Sequence, residues 1–181
     1  MTEKEKRDAG ELYDPSALLD ELNRSKELCF DYNNLRPSDS EGMRRLLMHL
    51  LGRVGENTFI QPPFWCDYGY NIETGRNFYA NHGCVMLDCA AIKFGDNVFV
   101  GPGCGFYTAG HPLDAGLRRT GLEYAKPITV GDDVWFGGGV KVMPGVTIGS
   151  GTVICAGAVV TRDIPSGVMA GGVPARIIKK L

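Results

Sequence analysis

Residues 128–164, ITVGDDVWFGGGVKVMPGVTIGSGTVICAGAVVTRDI, keep a beat of six. Every sixth residue from 130 gives Val130, Phe136, Val142, Ile148, Ile154 and Val160, all apolar. A second series four residues on gives Val134, Val140, Val146, Thr152, Ala158 and Ile164, apolar at every place but the threonine. A period of six fits neither a lone helix nor a simple alternating strand. It fits a short strand and a corner, repeated, which is the signature of a parallel β-helix. Three such units close one triangular coil. The aliphatic residues then point inward and stack on those of the coils above and below, so that stability comes from nearest-neighbour stacking. Gly95, Gly101, Gly131, Gly137 and Gly149 each follow a repeat-position apolar residue and are expected at corners that need φ > 0.

Working outward, the beat continues more weakly through Phe94, Val100 and Phe106 and through Met86, Ile92, Val98 and Cys104, and reaches back to Ile72 and Phe78. It breaks over about residues 107–127. That segment holds Gly110, Pro112, Gly116, Gly121 and Pro127, the chemistry of a loop, together with His111, Arg118, Arg119 and Glu123. A stacked coil can eject such a loop at a corner without disturbing its core, and loops on rigid scaffolds are favoured places for function. Before residue 54 the period is helical. Ser16 is placed to cap a helix carrying Leu18, Leu19, Leu22, Leu28 and Phe30. Ser38 to Glu41 has the form of a capping box before Met43, Leu46, Leu47, Leu50 and Leu51, and Gly52 would end that helix. The expected organisation is a helical cap over 1–53, a β-helix over 54–171 and a tail over 172–181. Cap and tail would cover the two open ends, whose unpaired strand groups otherwise invite aggregation.

Composition narrows the classes. The chain has 181 residues, 44% hydrophobic and 22% charged, with a net charge of −2, 25 glycines and six cysteines. This charge gives no basic field for nucleic acid and no polybasic membrane signal. The first residues, MTEKEKRDAGELYD, have no apolar core of a signal peptide, and no run approaches the ~18 apolar residues of a membrane span. A cytoplasmic protein is expected, with Cys29, Cys66, Cys84, Cys89, Cys104 and Cys155 reduced. None of them forms a CxxC pair.

The motifs AGELYD, VGENTFIQPPFWCDYGYNI (54–72), NFYAN (77–81), GHPLD (110–114), GLEYAKPITVGDDVWFGGG (121–139), PGVTIG (144–149) and GVPAR (172–176) cover nearly the whole chain. In them the sequence resembles the maltose/galactoside O-acetyltransferases, a family of hexapeptide-repeat, left-handed β-helix acyltransferases. The resemblance implies the left-handed coil, transfer of an acetyl group from acetyl-CoA to a sugar hydroxyl, no metal, and a homotrimer with active sites between subunits. It implies that His111 is the general base, a task suited to an imidazole with an unperturbed pKa of ~6.5. It assigns acceptor contacts to Asp14, Asp67, Asn81 and Asp88, with Glu123 a candidate to orient His111. Asn81 would face the reacting hydroxyl, and Asp67 and Asp88 would line the same pocket. Trp65, Tyr68, Tyr70 and Tyr79 are candidates to pack a sugar face. Acetyl-CoA would lie along the later coils near Trp135, Gly138, Ala156, Thr161 and Arg162. Arg176, Lys179 and Lys180 complete a basic cluster suited to phosphates. Backbone N–H groups of WFGGG are candidates to stabilise the tetrahedral oxyanion. The sequence departs from the family at Gly138, where relatives often carry serine, and at Cys89, where some carry aspartate. Both changes alter the polarity of the acceptor pocket.

Three rival readings remain at this point, one of which keeps the acetyl transfer but changes the acceptor to serine, an antibiotic or a nucleotide sugar. A zinc hydratase of the same fold needs three histidines on neighbouring coils, but the chain has only His49, His82 and His111, the first in the helical part. A β-helix that only binds or scaffolds would give the same rungs without the histidine loop or the basic tail.

Overall fold

The computed structural model describes all 181 residues. The twelve positions of the two six-residue series are all buried. They point into a triangular prism whose three faces are parallel sheets. Face 1 holds Phe59–Ile60, Tyr79–Ala80, Phe99–Val100, Trp135–Phe136, Val153–Ile154 and Val168–Gly171. Face 2 holds Phe64–Cys66, Cys84–Leu87, Gly105–Tyr107, Lys141–Val142 and Val159–Val160. Face 3 holds Ile72–Glu73, Ile92–Phe94, Ile128–Val130 and Thr147–Ile148. The chain runs from face 1 to face 2 to face 3 and back, one coil per circuit. Each coil therefore has a 1/2 edge, a 2/3 edge and a 3/1 edge, and the 2/3 edge lies opposite face 1.

Phe78, Phe94, Phe106 and Phe136 form a column along the axis, with successive ring centroids 4.7, 5.0 and 5.2 Å apart. The last two pairs are edge-to-face, an arrangement that adds about 0.5–1.5 kcal/mol per pair beyond burial. Thr152, the polar rung, is satisfied by donating its hydroxyl to the Pro165 carbonyl at 3.1 Å. The weaker beat in the upper coils has a geometric cause. Phe59, Tyr79 and Phe99 are register partners twenty residues apart, whereas Trp135 and Val153 are eighteen apart. The upper coils carry two extra residues at the 2/3 edge: Val85 and Lys93, on faces 2 and 3, are eight residues apart, whereas their register counterparts Lys141 and Thr147 are six apart.

The corner glycines follow a different rule from the one expected. Gly95, Gly101, Gly131, Gly137 and Gly149 are absent from the positive-φ positions. They stand where the next coil comes too near for a side chain. A Cβ on Gly95 would lie 2.7 Å from the Gly131 carbonyl carbon, and one on Gly101 2.6 Å from the Gly138 nitrogen. The left-handed corner positions on the 3/1 edge are instead taken by Asn57, Asn77, Asn97 and Asp133, all with φ of 55–56°, and then by Gly151 and Gly167 on the last coils. The Asn and Asp side chains form a ladder, each Asn Nδ2 donating to the Oδ1 of the next at 3.0, 2.8 and 2.9 Å. Asn and Asp tolerate this conformation better than other residues with a Cβ.

Three helices, α1 (Glu3–Asp8), α2 (Leu19–Asn33) and α3 (Ser40–Leu50), close the upper end. Their starts differ in detail from the sequence expectation. Asp14, not Ser16, caps the short 3-10 turn Pro15–Leu18 that leads into α2, and Asp39, not Ser38, caps α3 by accepting from the Gly42 N–H at 2.9 Å. The cap completes the hydrogen bonding of the first coil. Asn33 donates to the Phe64 carbonyl at 2.9 Å and accepts from its N–H at 2.8 Å, and Tyr32 donates to the Ile60 carbonyl. At the lower end Arg176–Lys180 folds back antiparallel on Val168–Gly171. All six cysteines are free thiols. No helix is long and apolar enough to cross a membrane.

Replacing Gly95 with alanine forces a methyl against the Gly131–Asp132 backbone, so thermal melting should show a loss of about 1–3 kcal/mol, the usual cost of overpacking. An unchanged midpoint would contradict the close approach of the coils.

Candidate active site

The segment between Tyr107 and Ile128 leaves the prism at the 2/3 edge. Ala109–Gly110 pairs antiparallel with Tyr124–Ala125 as its stem, and a short helix, Ala115–Arg118, forms its tip. Asp114 caps that helix through the Leu117 N–H at 2.7 Å, and Arg118 donates to the Pro112 and Leu113 carbonyls at 3.1 and 3.0 Å. The stem fixes His111. Its Nδ1 lies 3.0 Å from the Leu122 carbonyl. A carbonyl only accepts, so Nδ1 carries the proton and Nε2 is left with its lone pair. Oε1 of Glu123 lies 3.8 Å from that Nε2. The acceptor that orients His111 is thus the Leu122 carbonyl, with the Glu123 carboxylate beside the other nitrogen.

The same edge carries Asp67 and Asp88 on the coils above. Asp88 is 0% exposed, and its carboxylate accepts from the backbone N–H groups of Asp67 at 3.0 Å, Tyr68 at 2.8 Å and Asn71 at 3.3 Å. It ties one corner to the next and does not face a cleft. Burial and the charge of Asp67 push its pKa up to about 6, against the pull of those N–H donors. Asp67 is half-buried, accepts from the Cys89 thiol at 3.4 Å, and burial raises its pKa too. Around Cys89 gather Tyr13, Leu18, Tyr68 and Ala125, with Leu22 packed against them. Asp14 is exposed, and its carboxylate is committed to the Ser16 N–H at 2.9 Å. The buried Arg7 packs against both Tyr68 and Tyr70, its guanidinium carbon 4.6 and 5.7 Å from their ring centroids. They hold the cap to the prism. Thr161 and Arg162 are exposed on the same 2/3 edge, at the lowest coil.

The remaining predicted residues, Trp65 apart, lie on face 1 or its 1/2 edge. Asn81 follows Tyr79–Ala80, and its Oδ1 accepts from the His82 N–H at 2.7 Å, which leaves Nδ2 free to donate outward. Asn81, Tyr79, Phe99, Pro102, Trp135 and Gly138 line a groove of about 340 Å³. Phe99 and Trp135 are 51% and 56% exposed. Ala156 sits on the 1/2 edge below Gly138, and no heavy atom lies within 4 Å of a Cβ placed on Gly157. Arg176 and Lys179, both exposed, extend face 1 at its lower end. Trp65 is 41% exposed on face 2 and Lys180 is the last residue of the final strand. The expected single pocket is therefore divided. Asn81 does not share a pocket with Asp67 in one chain, because the two lie on different edges of the prism. His49, His82 and His111 stand on α3, the 1/2 edge and the 2/3 loop, and no three His, Cys, Asp or Glu side chains are placed to hold a metal ion.

Residues 6–55 match the maltose acetyltransferase hexapeptide capping motif, and residues 127–162 match the six-repeat bacterial transferase hexapeptide. The galactoside O-acetyltransferase of Escherichia coli is 41% identical over 100% of this chain and 89% of its own. The crystal structure of a maltose O-acetyltransferase from Clostridium difficile superposes with a TM-score of 0.99 at 46% identity, covering 100% of this chain and 98% of that one. A hexapeptide-repeat acetyltransferase from Vibrio cholerae, solved with acetyl coenzyme A, superposes with a TM-score of 0.93 at 38% identity, covering 100% and 99%. The fold and these relatives define an acetyl-CoA-dependent O-acetyltransferase of the hexapeptide-repeat class. Within that class, the chain belongs to the maltose/galactoside O-acetyltransferase family.

The structure makes Asp88 a corner tie. Asp88→Asn turns one acceptor into a donor facing the Asn71 N–H. It should cost about 1–3 kcal/mol in thermal unfolding, the cost of an unsatisfied buried group. At a temperature where the variant is folded, its turnover should stay within about tenfold of wild type, well short of the 10²–10⁴-fold reach of a general base. A stable variant without activity would return Asp88 to the site.

Proposed function

We propose that this enzyme moves the acetyl group of acetyl-CoA to a sugar hydroxyl, with His111 as general base, in a homotrimer whose active sites form between protomers. The observation that carries this reading is the division of the site. His111, Glu123, Asp67, Thr161 and Arg162 occupy the 2/3 edge, while Asn81, Trp135, Gly138, Ala156, Arg176 and Lys179 occupy face 1 and its 1/2 edge. One protomer cannot bring an edge to its own opposite face; a neighbour in a ring can. Heterologous contacts that close by rotation build such rings.

The faces favour the same assembly. Outward along face 1 run Phe59, Tyr79, Phe99, Trp135, Val153 and Met169 in register, an apolar stripe six coils tall. Face 3 instead presents Glu73 and Lys93, paired at 3.1 Å, then Thr129 and Thr147, which suits solvent. Leu113, at the loop tip, is 94% exposed in the single chain and available to a neighbour. The six free thiols are those of a protein kept in a reducing compartment, here taken as the cytoplasm.

Acetyl-CoA suits the residues of face 1. On the 1/2 edge the N–H groups of Gly138 and Ala156 are not spent on a neighbouring coil and are open to an extended arm, Trp135 gives it an apolar wall, and Arg176 and Lys179 offer charge to phosphates. In the reaction Nε2 of His111 takes the proton of the acceptor hydroxyl as its oxygen attacks the thioester carbonyl. Nδ2 of Asn81 and nearby backbone N–H groups are the donors available to the oxyanion. Collapse breaks the C–S bond, and the imidazolium returns the proton to the thiolate, giving an acetyl ester and free CoA. Asp67, with its carboxylate beside the cleft, is the acceptor for a sugar hydroxyl. The apolar grouping of Tyr13, Leu22 and Cys89 next to Asp67 favours a second reading, in which the acceptor carries a non-sugar group.

Incubation with acetyl-CoA and a panel of glucose, maltose, galactosides and non-sugar alcohols, followed by release of free thiol, tests the reaction. His111→Ala should lower turnover by about 10²–10⁴-fold with little change in the KM for acetyl-CoA. Near-normal turnover would refute the base. Arg176→Ala should raise the KM for acetyl-CoA and leave that of the acceptor unchanged; the opposite pattern would remove the phosphate contact.

A further inference from the structure

We propose that Tyr13 is a positioning residue, whose hydroxyl holds Glu123 near His111 but short of a hydrogen bond to Nε2, so that this nitrogen stays open to the acceptor's proton. The proposal rests on the reading of His111 as the base.

Tyr13 comes from the N-terminal segment, between α1 and α2, and is 0% exposed. It meets the catalytic loop at three points. Its N–H donates to the Glu123 carbonyl at 3.0 Å, the Glu123 N–H donates to the Tyr13 carbonyl at 3.0 Å, and its hydroxyl donates to Glu123 Oε2 at 2.8 Å. The reciprocal backbone pair is a β-bridge between segments 110 residues apart in sequence. It fixes the residue next to Leu122, whose carbonyl holds His111 Nδ1. The dipeptide Leu122–Glu123 thus addresses both ring nitrogens, and Tyr13 clamps it.

The hydroxyl decides where the carboxylate goes. With Oε2 bound to Tyr13, Oε1 rests 3.8 Å from Nε2, outside hydrogen-bond range. From there its charge stabilises the imidazolium formed during attack without occupying the nitrogen that must take the proton. Released from Tyr13, the carboxylate has only a short way to move to a direct ion pair with Nε2. Burial keeps the phenol protonated well above its ordinary range, with Cys89 and Glu123 adding to the effect, so Tyr13 donates throughout the working pH range. The other groups facing this cluster are Asp67 and Cys89 from the coils above, with the buried Asp88 behind them. On the loop itself stand Asp114, Arg118 and Arg119, which are bonded to loop backbone.

The test compares pH–rate profiles of the full-length enzyme with acetyl-CoA and its best acceptor. Tyr13→Phe removes one oxygen and keeps the ring. It should lower kcat by roughly tenfold, a fraction of the 10²–10⁴-fold of the base itself, and leave the KM for acetyl-CoA unchanged. The acid limb of kcat/KM should move up by roughly one pH unit, since an adjacent carboxylate favours the protonated ring. Glu123→Gln should move that limb down, and adding Tyr13→Phe to Glu123→Gln should cost little more, the non-additivity expected of one interacting unit. Loss of packing alone would lower the melting temperature without moving the limb. A Tyr13→Phe enzyme with the wild-type profile beside an inactive His111→Ala enzyme would overturn the role of Tyr13 and keep the base, whereas an active His111→Ala enzyme would overturn the base. If Tyr13→Phe does not fold, an unmoved acid limb in Glu123→Gln overturns the proposal.

Discussion

Everything in this molecule depends on one coil resting squarely on the next. Each inward rung is buried by the rung above and the rung below, and each strand pairs with its counterpart on those two coils. The tolerance of that stacking is small. Where corners meet, as at Gly95 against Gly131 and Gly101 against Gly138, even a methyl group has no room. Polar groups obey the same rule: the Asn57–Asn77–Asn97–Asp133 ladder and the Asp88 tie bridge one coil to the next. A scaffold held this way is rigid along its axis and free at its edges. It can therefore eject a twenty-residue loop from the 2/3 edge and still stack Val142 on Phe106 beneath it.

That rigidity matters because the loop is held from outside the prism as well as by its own stem. The bridge between Tyr13 and Glu123 makes the N-terminal cap part of the histidine loop's support. The cap has two other attachments, Asn33 and Tyr32 on the first coil and Arg7 against Tyr68 and Tyr70. It does more than close an exposed sheet edge: it sets the position of the residues that orient His111. A chain of contacts from the first helix to the imidazole is what a helical cap adds to a bare β-helix.

The rungs were legible because burial in a β-helix is strictly periodic, and all twelve residues of the two series are inside. The loop and His111 were legible because they break that period. The corners were not. Gly95 and its counterparts read as turn glycines, but close approach between coils, which involves residues 17 to 37 positions apart, selects them. Asn57, Asn77 and Asn97 recur at intervals of twenty, a signal hidden under the beat of six. Asp14 and Asp39 rather than their serine neighbours took the helix starts, because several polar residues in each segment compete for the same N–H groups. The site was legible as a set of residues but not as a geometry. A family pattern collects Asn81, Asp67 and Asp88 into one pocket, while coil arithmetic puts Asn81 on a different edge and turns Asp88 inward. Tyr13 carried no signal beyond its place in a motif.

The central claim is that the edge of one protomer and the face of another make one site. Mixed assembly tests it most directly. His111→Ala disables the edge, and Asn81→Ala disables the face. Each variant alone should be nearly inactive. Denatured together in equal amounts and refolded, they should regain about a quarter of wild-type activity, since random rings pair an intact edge with an intact face at about one junction in four. Hybrid rings that form but regain no activity would contradict the shared site.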